Sequence, residues 1–151
     1  MTKVKTNEFK KIENHLDKYM NYKLGIENLR KQLDHLYPNT TANYDLTKEG
    51  STGTFLFNSN TENYGIKRAE LSKAIEDEIM SYQIIIDSID RTLELLEDKE
   101  KEYVQLRYFE GLKNHIVAER MKCSLKMMYN YRDGFKEKAK ISLKNLLLLE
   151  N

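Results

Sequence analysis

Cysteine is nearly absent. The single Cys123 can close no disulfide within the chain, which excludes a small disulfide-stapled scaffold. Tryptophan is missing altogether, and proline occurs once, at Pro38. Six glycines in 151 residues are few. Scarce turn formers argue against many short strands and for long helices. There is no apolar run long enough to span a bilayer, so no membrane partner is expected. The opening residues, MTKVKTNEFKK, lack the apolar core of a secretory signal, and a cytoplasmic location is expected.

Catalytic patterns are also wanting. His15, His35 and His115 are far apart, and none has a cysteine at zinc-ligand spacing. Glu76, Asp77 and Glu78 are consecutive on an expected helix, so they point in different directions and do not converge on a metal. Gly50-Ser51-Thr52-Gly53 has no lysine at the phosphate-loop spacing and no strand before it. No nucleophile is paired with a base. The sequence is read as a non-enzyme without metal or cofactor.

Charge and helical periodicity are what remain. Charged residues make up 32% of the chain and mean hydropathy is −0.72, as expected where much helix surface meets water. The net charge is +1, but unevenly spread. Residues 99–151 hold twelve Lys and Arg against seven Asp and Glu, a net of +5. Residues 1–98 hold thirteen against seventeen, a net of −4. A polyanionic partner would favour the basic part.

The expected fold class is all-α, with two long heptad-bearing helices joined by a polar loop and followed by a C-terminal helix-turn-helix domain. The divisions are 1–37, 38–61, 62–98 and 99–151. In the first helix Phe9, Ile12, Leu16, Tyr19, Tyr22, Ile26, Leu29, Leu33 and Leu36 alternate steps of three and four. An extra step of three at Tyr19–Tyr22 makes a stammer. Pro38 ends this helix, because the residue before a proline is pushed out of the helical region. The Thr-, Asn-, Gly- and Ser-rich stretch 38–61 reads as a loop, with Phe55-Leu56-Phe57 its one apolar island.

The second helix, from about Glu62 to Glu97, has Ile75, Ile79, Tyr82, Ile86, Ile89, Leu93 and Leu96 at steps of 4, 3, 4, 3, 4, 3. Such a stripe must be covered. An antiparallel hairpin within one chain and a dimer seam between two copies both satisfy it. Residues 62–98 carry ten acids and four bases, so this helix should hold a DNA-binding element rather than touch the duplex.

The most specific stretch is Lys99 to Lys140. A helix to about Glu110 places Tyr103, Leu106 and Phe109 on one face and ends at Gly111. Asn114 is the expected cap of a second helix reaching about Met121, and Ser124 the cap of a third. Ala118 falls where two helices would touch and a larger side chain would force them apart. Val117, Met121, Cys123, Met128 and Tyr131 face inward, Cys123 as a small core residue of the turn. Ser124, Lys126, Tyr129, Asn130 and Asp133 face outward.

LRYFEGLKNHIVAERMKCS resembles the C-terminal helix-turn-helix of sigma factors, region four. The layout around it resembles phage late-gene transcription regulators of the RinA and ArpU type, with the specific match over Leu93 to Lys140. Four residues after Ala118, where such motifs often carry Gly or Asn, this chain has Lys122. A left-handed residue there costs about 1 kcal/mol.

The resemblance implies a sequence-specific DNA-binding regulator, most simply an activator, of phage or prophage late genes. Ser124, Lys126, Tyr129, Asn130 and Asp133 would meet bases, and Lys113, Asn114, Arg132 and Lys136 would meet phosphates. The implied partners are double-stranded DNA, RNA polymerase and further copies of the chain. Two alternatives stand beside it. A small terminase subunit also joins such a motif to oligomerising helices, though usually in the opposite order. A helical interaction protein would use the same residues as a solvated basic face. A complete sigma factor ranks last, since the chain lacks room for a separate upstream promoter-reading region. The C-terminal ISLKNLLLLEN is apolar for its position, and is expected to fold on the first helix of the DNA-binding domain or on a second subunit.

Overall fold

A computed structural model describes the backbone of residues 2–36 and 58–149 and the side chains of residues 7–36 and 63–149. Every regular element among the described residues is helical. In chain order these are α1 (Thr2–Asp17), α2 (Tyr19–Leu36), α3 (Asn58–Leu95), α4 (Asp98–Val104) with a π-helical turn (Gln105–Phe109), α5 (Asn114–Arg120), α6 (Leu125–Ser142) and a 3₁₀ turn (Lys144–Leu148). No helix of the described residues is long and apolar enough to cross a membrane. The expected loop 38–61 is helical from Asn58; its remainder, with Pro38, the Gly50–Gly53 run and Phe55-Leu56-Phe57, lies outside the described residues.

The expected single helix from Phe9 to Leu36 is interrupted at Lys18. The hydrogen-bond ladder still crosses that residue, from Lys18 N to Asn14 O at 3.2 Å and from Tyr22 N to Lys18 O at 2.8 Å. The irregularity adjoins the stammer, where a step of three overwinds a helix that keeps its apolar face inward.

The residues group into two compact units, Met1–Lys23 with Gln83–Asn151, and Leu24–Tyr82. The expected boundary at 98/99 is thereby corrected. Residues 99–151 form one core with the N-terminal helix and the end of α3, because Ile12, Leu16, Ile89 and Leu96 are buried together with Tyr103, Val104, Phe135 and Leu143.

The core of the larger unit is aromatic. Phe135 is fully buried, with its ring centroid 6.0 Å from Tyr108 and 6.4 Å from both Phe9 and Tyr103. Tyr19 stacks on Phe109 at 4.4 Å. Its hydroxyl donates to Asp90 of α3. The π turn inserts one residue into the end of α4, with Glu110 N bonding to Gln105 O at 2.9 Å. It brings Tyr108 inward as well as Leu106, and Tyr108 Oη donates to Glu13 Oε2 of α1 at 2.7 Å.

Polar side chains join α3 to α6. Ser142 Oγ donates to Lys138 O at 2.9 Å and lies 2.8 Å from the buried Thr92 Oγ1. Asn145 Nδ2 donates to Ser88 Oγ at 2.9 Å. The C-terminal 3₁₀ turn, expected on the helix beginning at Asp98 or on a second subunit, packs chiefly on α1 and α6. Leu143 and Leu146 are fully buried, whereas Leu148 is exposed.

The smaller unit holds the later part of α2 and the earlier part of α3. Gly25 lies against Tyr82, where an added Cβ would stand 3.2 Å from the ring. Leu36, at the other end of α2, lines a groove with Tyr64, Arg68 and Leu71. Chain direction therefore opposes, and the pair is an antiparallel hairpin.

The heptad stripe of α3 is largely covered within the single chain. Ile75, Ile86, Ile89 and Leu96 are buried, and Ile79, Tyr82 and Leu93 half-buried. The hairpin alternative thus covers Ile75, Ile86, Ile89 and Leu96, and the half-buried Ile79, Tyr82 and Leu93 keep part of their surface open.

Candidate functional site

The site is built on α5, the turn after it and the start of α6. The turn holds four residues, 121–124. Its geometry follows from how α5 ends. Cys123 N bonds to Ala118 O at 3.1 Å and Lys122 N to Glu119 O at 3.1 Å. This pair of bonds satisfies the last carbonyls of a helix when the residue after the cap is left-handed. Lys122 is that residue, at φ 56°, the one non-glycine of positive φ among the described residues. The turn thus adopts the backbone that Gly or Asn would take more easily. Ser124 then caps α6, its Oγ accepting from Met127 N at 3.2 Å.

Ala118 is buried beside the fully buried Val117 and Met128, as a close approach of α5 and α6 requires. Met121 is buried too, while Cys123 and Tyr131 are half-buried. Gly111 ends the preceding segment at φ 71°. One cap is corrected. Lys113, extended at φ −73° and ψ 154°, precedes α5, and Asn114 is its first helical residue. Asn114 instead turns its side-chain oxygen to Arg107, whose Nε donates at 3.1 Å.

All five outward candidates, Ser124, Lys126, Tyr129, Asn130 and Asp133, are exposed on α6. Met128, Phe135 and Ala139 hold its opposite face in the core. The basic candidates divide. Lys113 is exposed. Arg132 is half-buried, its guanidinium 5.0 Å from the Tyr129 ring centre and 3.5 Å from Asp133. Lys136 is half-buried with its ammonium 4.9 Å from the Phe9 ring centre, which draws it toward α1. Arg120 and Lys122, not among the phosphate candidates read from the sequence, are also exposed. Residues 113–136 hold six Lys and Arg against two Asp and Glu. Leu125 and Met127 are exposed as well. The signal for them was phase, since neither falls on the Met128–Phe135–Ala139 stripe.

A buried carboxylate fixes α6 against α4. Glu100 Oε1 accepts from Lys138 Nζ at 2.6 Å and from Glu97 N at 2.9 Å. The Glu97 side chain returns a bond to the Glu100 backbone, closing a capping box at the start of α4. A Cβ on Gly134 would stand too close to Glu100 Oε2, so any side chain there forces this buried carboxylate to shift. Hydrogen bonding to Glu100 raises the Lys138 pKa above its ordinary value. Burial pushes the Tyr103 and Tyr108 phenols up, Tyr108 most strongly. Burial also raises the Asp17 carboxyl, against the opposing pull of Arg107.

Among the described residues no group of three or more His, Cys, Asp and Glu is placed to hold a metal ion. The arrangement offers an exposed, basic-flanked helix end supported by a rigid core. No protein-family model, curated protein or solved structure matches the chain.

Proposed function

We propose that this chain is a sequence-specific, double-stranded-DNA-binding transcription regulator of the phage or prophage late-gene type. In this reading α5, the turn and α6 are a helix-turn-helix. The start of α6 enters a major groove, where an α-helix fits and base edges can be distinguished. The observation that carries the reading is the division of α6: its core face is fully buried while Ser124, Lys126, Tyr129, Asn130 and Asp133 are all exposed. The basic excess over residues 113–136 supplies attraction to phosphates.

The roles follow from the environments. Lys126 and Asn130 stand free to meet base edges. Arg132 braces Tyr129 from beneath and offsets Asp133. Lys113 before α5, Arg120 at its end and Lys122 in the turn are exposed and suit phosphates, while Lys136 is the weakest phosphate candidate because its ammonium lies on Phe9. An activator also requires RNA polymerase as a partner. Two copies on paired half-sites would need a seam, for which the half-buried Ile79, Tyr82 and Leu93 of α3 remain the candidates.

The test is a binding titration of the full chain on duplex DNA at several salt concentrations. Each neutralised phosphate contributes about −0.9 to the slope of log K against log salt. Lys113→Ala should make the slope shallower by about that amount and weaken all sequences alike. An affinity that ignores salt would leave the basic surface as a solvated face only. Ala118→Leu tests the geometry beneath, and should cost about 1–3 kcal/mol by overpacking the α5–α6 contact. Unchanged thermal melting of that variant would remove the helix-turn-helix assignment.

A further inference from the structure

We propose that Leu125 and Met127 are specificity-determining residues that contact thymine methyl groups, so that the recognised DNA is a site of A·T pairs flanked by guanine. This rests on the DNA-binding reading above. Three large side chains with apolar bodies stand open at the start of α6: Leu125 is 47% exposed, Met127 44% and Tyr129 37%. Leu125 and Tyr129 are four residues apart and Met127 and Asn130 three, so each pair shares a helical face. Lys126 lies between them in sequence and is also exposed.

Exposed apolar area is unfavourable unless a partner covers it, at roughly 25 cal/mol per Å². Leu125 and Met127, two residues apart, stand on opposite flanks of the outward face, and the charge around them indicates the partner. Six basic residues against two acidic ones over residues 113–136 favour a polyanion over an acid-poor protein groove. In the major groove of DNA the apolar feature of the base edges is the C5-methyl of thymine. Asn130 points to the same base pairs by another route. A carboxamide pairs with adenine through N6 and N7, and adenine is the partner of thymine. Lys126 suits guanine O6 and N7. Apolar contact and amide therefore select one base-pair type from opposite strands, with the lysine marking a neighbouring position.

The experiment begins by selecting bound duplexes from a random library with the full chain. Each thymine of the selected site is then replaced by deoxyuridine, which keeps the base pairing and removes only the methyl. A buried methyl is worth about 0.8 kcal/mol, so one or more thymines should lose about fourfold in affinity on replacement. In Met127→Ala or Leu125→Ala the loss at the contacted thymine should vanish. Both positions are exposed and alanine favours helix, so these variants should fold, as circular dichroism can verify. A selected site whose thymines tolerate uracil, or one made of G·C pairs alone, overturns this inference and leaves DNA binding standing. Failure to select any site, with no salt-dependent binding, overturns both.

Discussion

The two compact units use the same kind of helix to different effect. In Leu24–Tyr82, Ile26, Ser72 and Ile75 are the buried residues among those described. In the unit of Met1–Lys23 and Gln83–Asn151, Val104, Val117, Met128, Phe135, Ala139, Leu143 and Leu146 are excluded from water completely. Two antiparallel helices enclose a line of side chains, whereas helices meeting from several directions enclose a volume. The lesson concerns where rigidity resides. A surface that positions side chains for a partner, as the proposed function requires, needs supporting residues held by packing, and the larger unit supplies the more fully buried ones.

The sharpest way to break that contrast is to truncate one apolar side chain in each unit. Phe135→Ala should cost about 3–5 kcal/mol, the range for a buried aromatic. The half-buried Leu29→Ala should cost clearly less than the about 2–5 kcal/mol of a fully buried leucine. Chemical denaturation of both variants checks the ranking. Equal losses would mean that the hairpin is packed as tightly as the larger core. Ile89→Lys belongs with the larger loss. Its site is fully buried within one chain, so the variant should unfold rather than remain a folded chain lacking a partner. Circular dichroism beside sedimentation separates the two outcomes.

One substitution should have opposite signs in the two units. Gly134→Ala drives a methyl into Glu100 Oε2 and should destabilise by about 1–3 kcal/mol. Gly65→Ala meets nothing within 4 Å and should stabilise α3 by up to about 1 kcal/mol, the helix propensity difference. Shared signs in thermal melting would discard the account of Gly134. Glu100→Ala combined with Gly134→Ala should recover part of the steric loss while forfeiting the bond to Lys138.

The smallest effect is expected in alkali. The Tyr108 phenol is raised above its ordinary value of 10.0 by burial. A group raised on folding supports stability fully below its unfolded pKa, and that support fades as pH rises above it. The unfolded chain releases the phenolic proton first, so wild-type stability should fall from about pH 10 upward. Tyr108→Phe should soften that fall. At neutral pH it should also lose about 1 kcal/mol with the bond to Glu13. Melting temperature measured from pH 8 to 11 reads both. An identical alkaline fall in the variant would assign the effect to other groups.

Helix type, order and approximate ends were legible in the chain because each is set by local rules. Steps of three and four placed Ile75 to Leu96 on one stripe, Gly111 and Ser124 marked their ends, and Ala118 marked a close contact. Even the left-handed turn could be located from Ala118, although Lys122 occupies it. Long-range partners obey no such local rule. A heptad stripe states that it must be covered, not by what, and the tertiary structure alone covered Ile86 and Ile89 within the chain. Periodicity could not reveal the π turn, since one inserted residue changes which side chains face inward only after the backbone has widened. Glu100 read as an ordinary helix-start acid and Gly134 as a weak point in a helix. Their meeting across α4 and α6, separated by thirty-three residues of chain, depended on how those helices cross. The sequence by itself determined the exposed groups of α6 through their phase. Packing against α1, α3 and α4 decided how firmly that face is held.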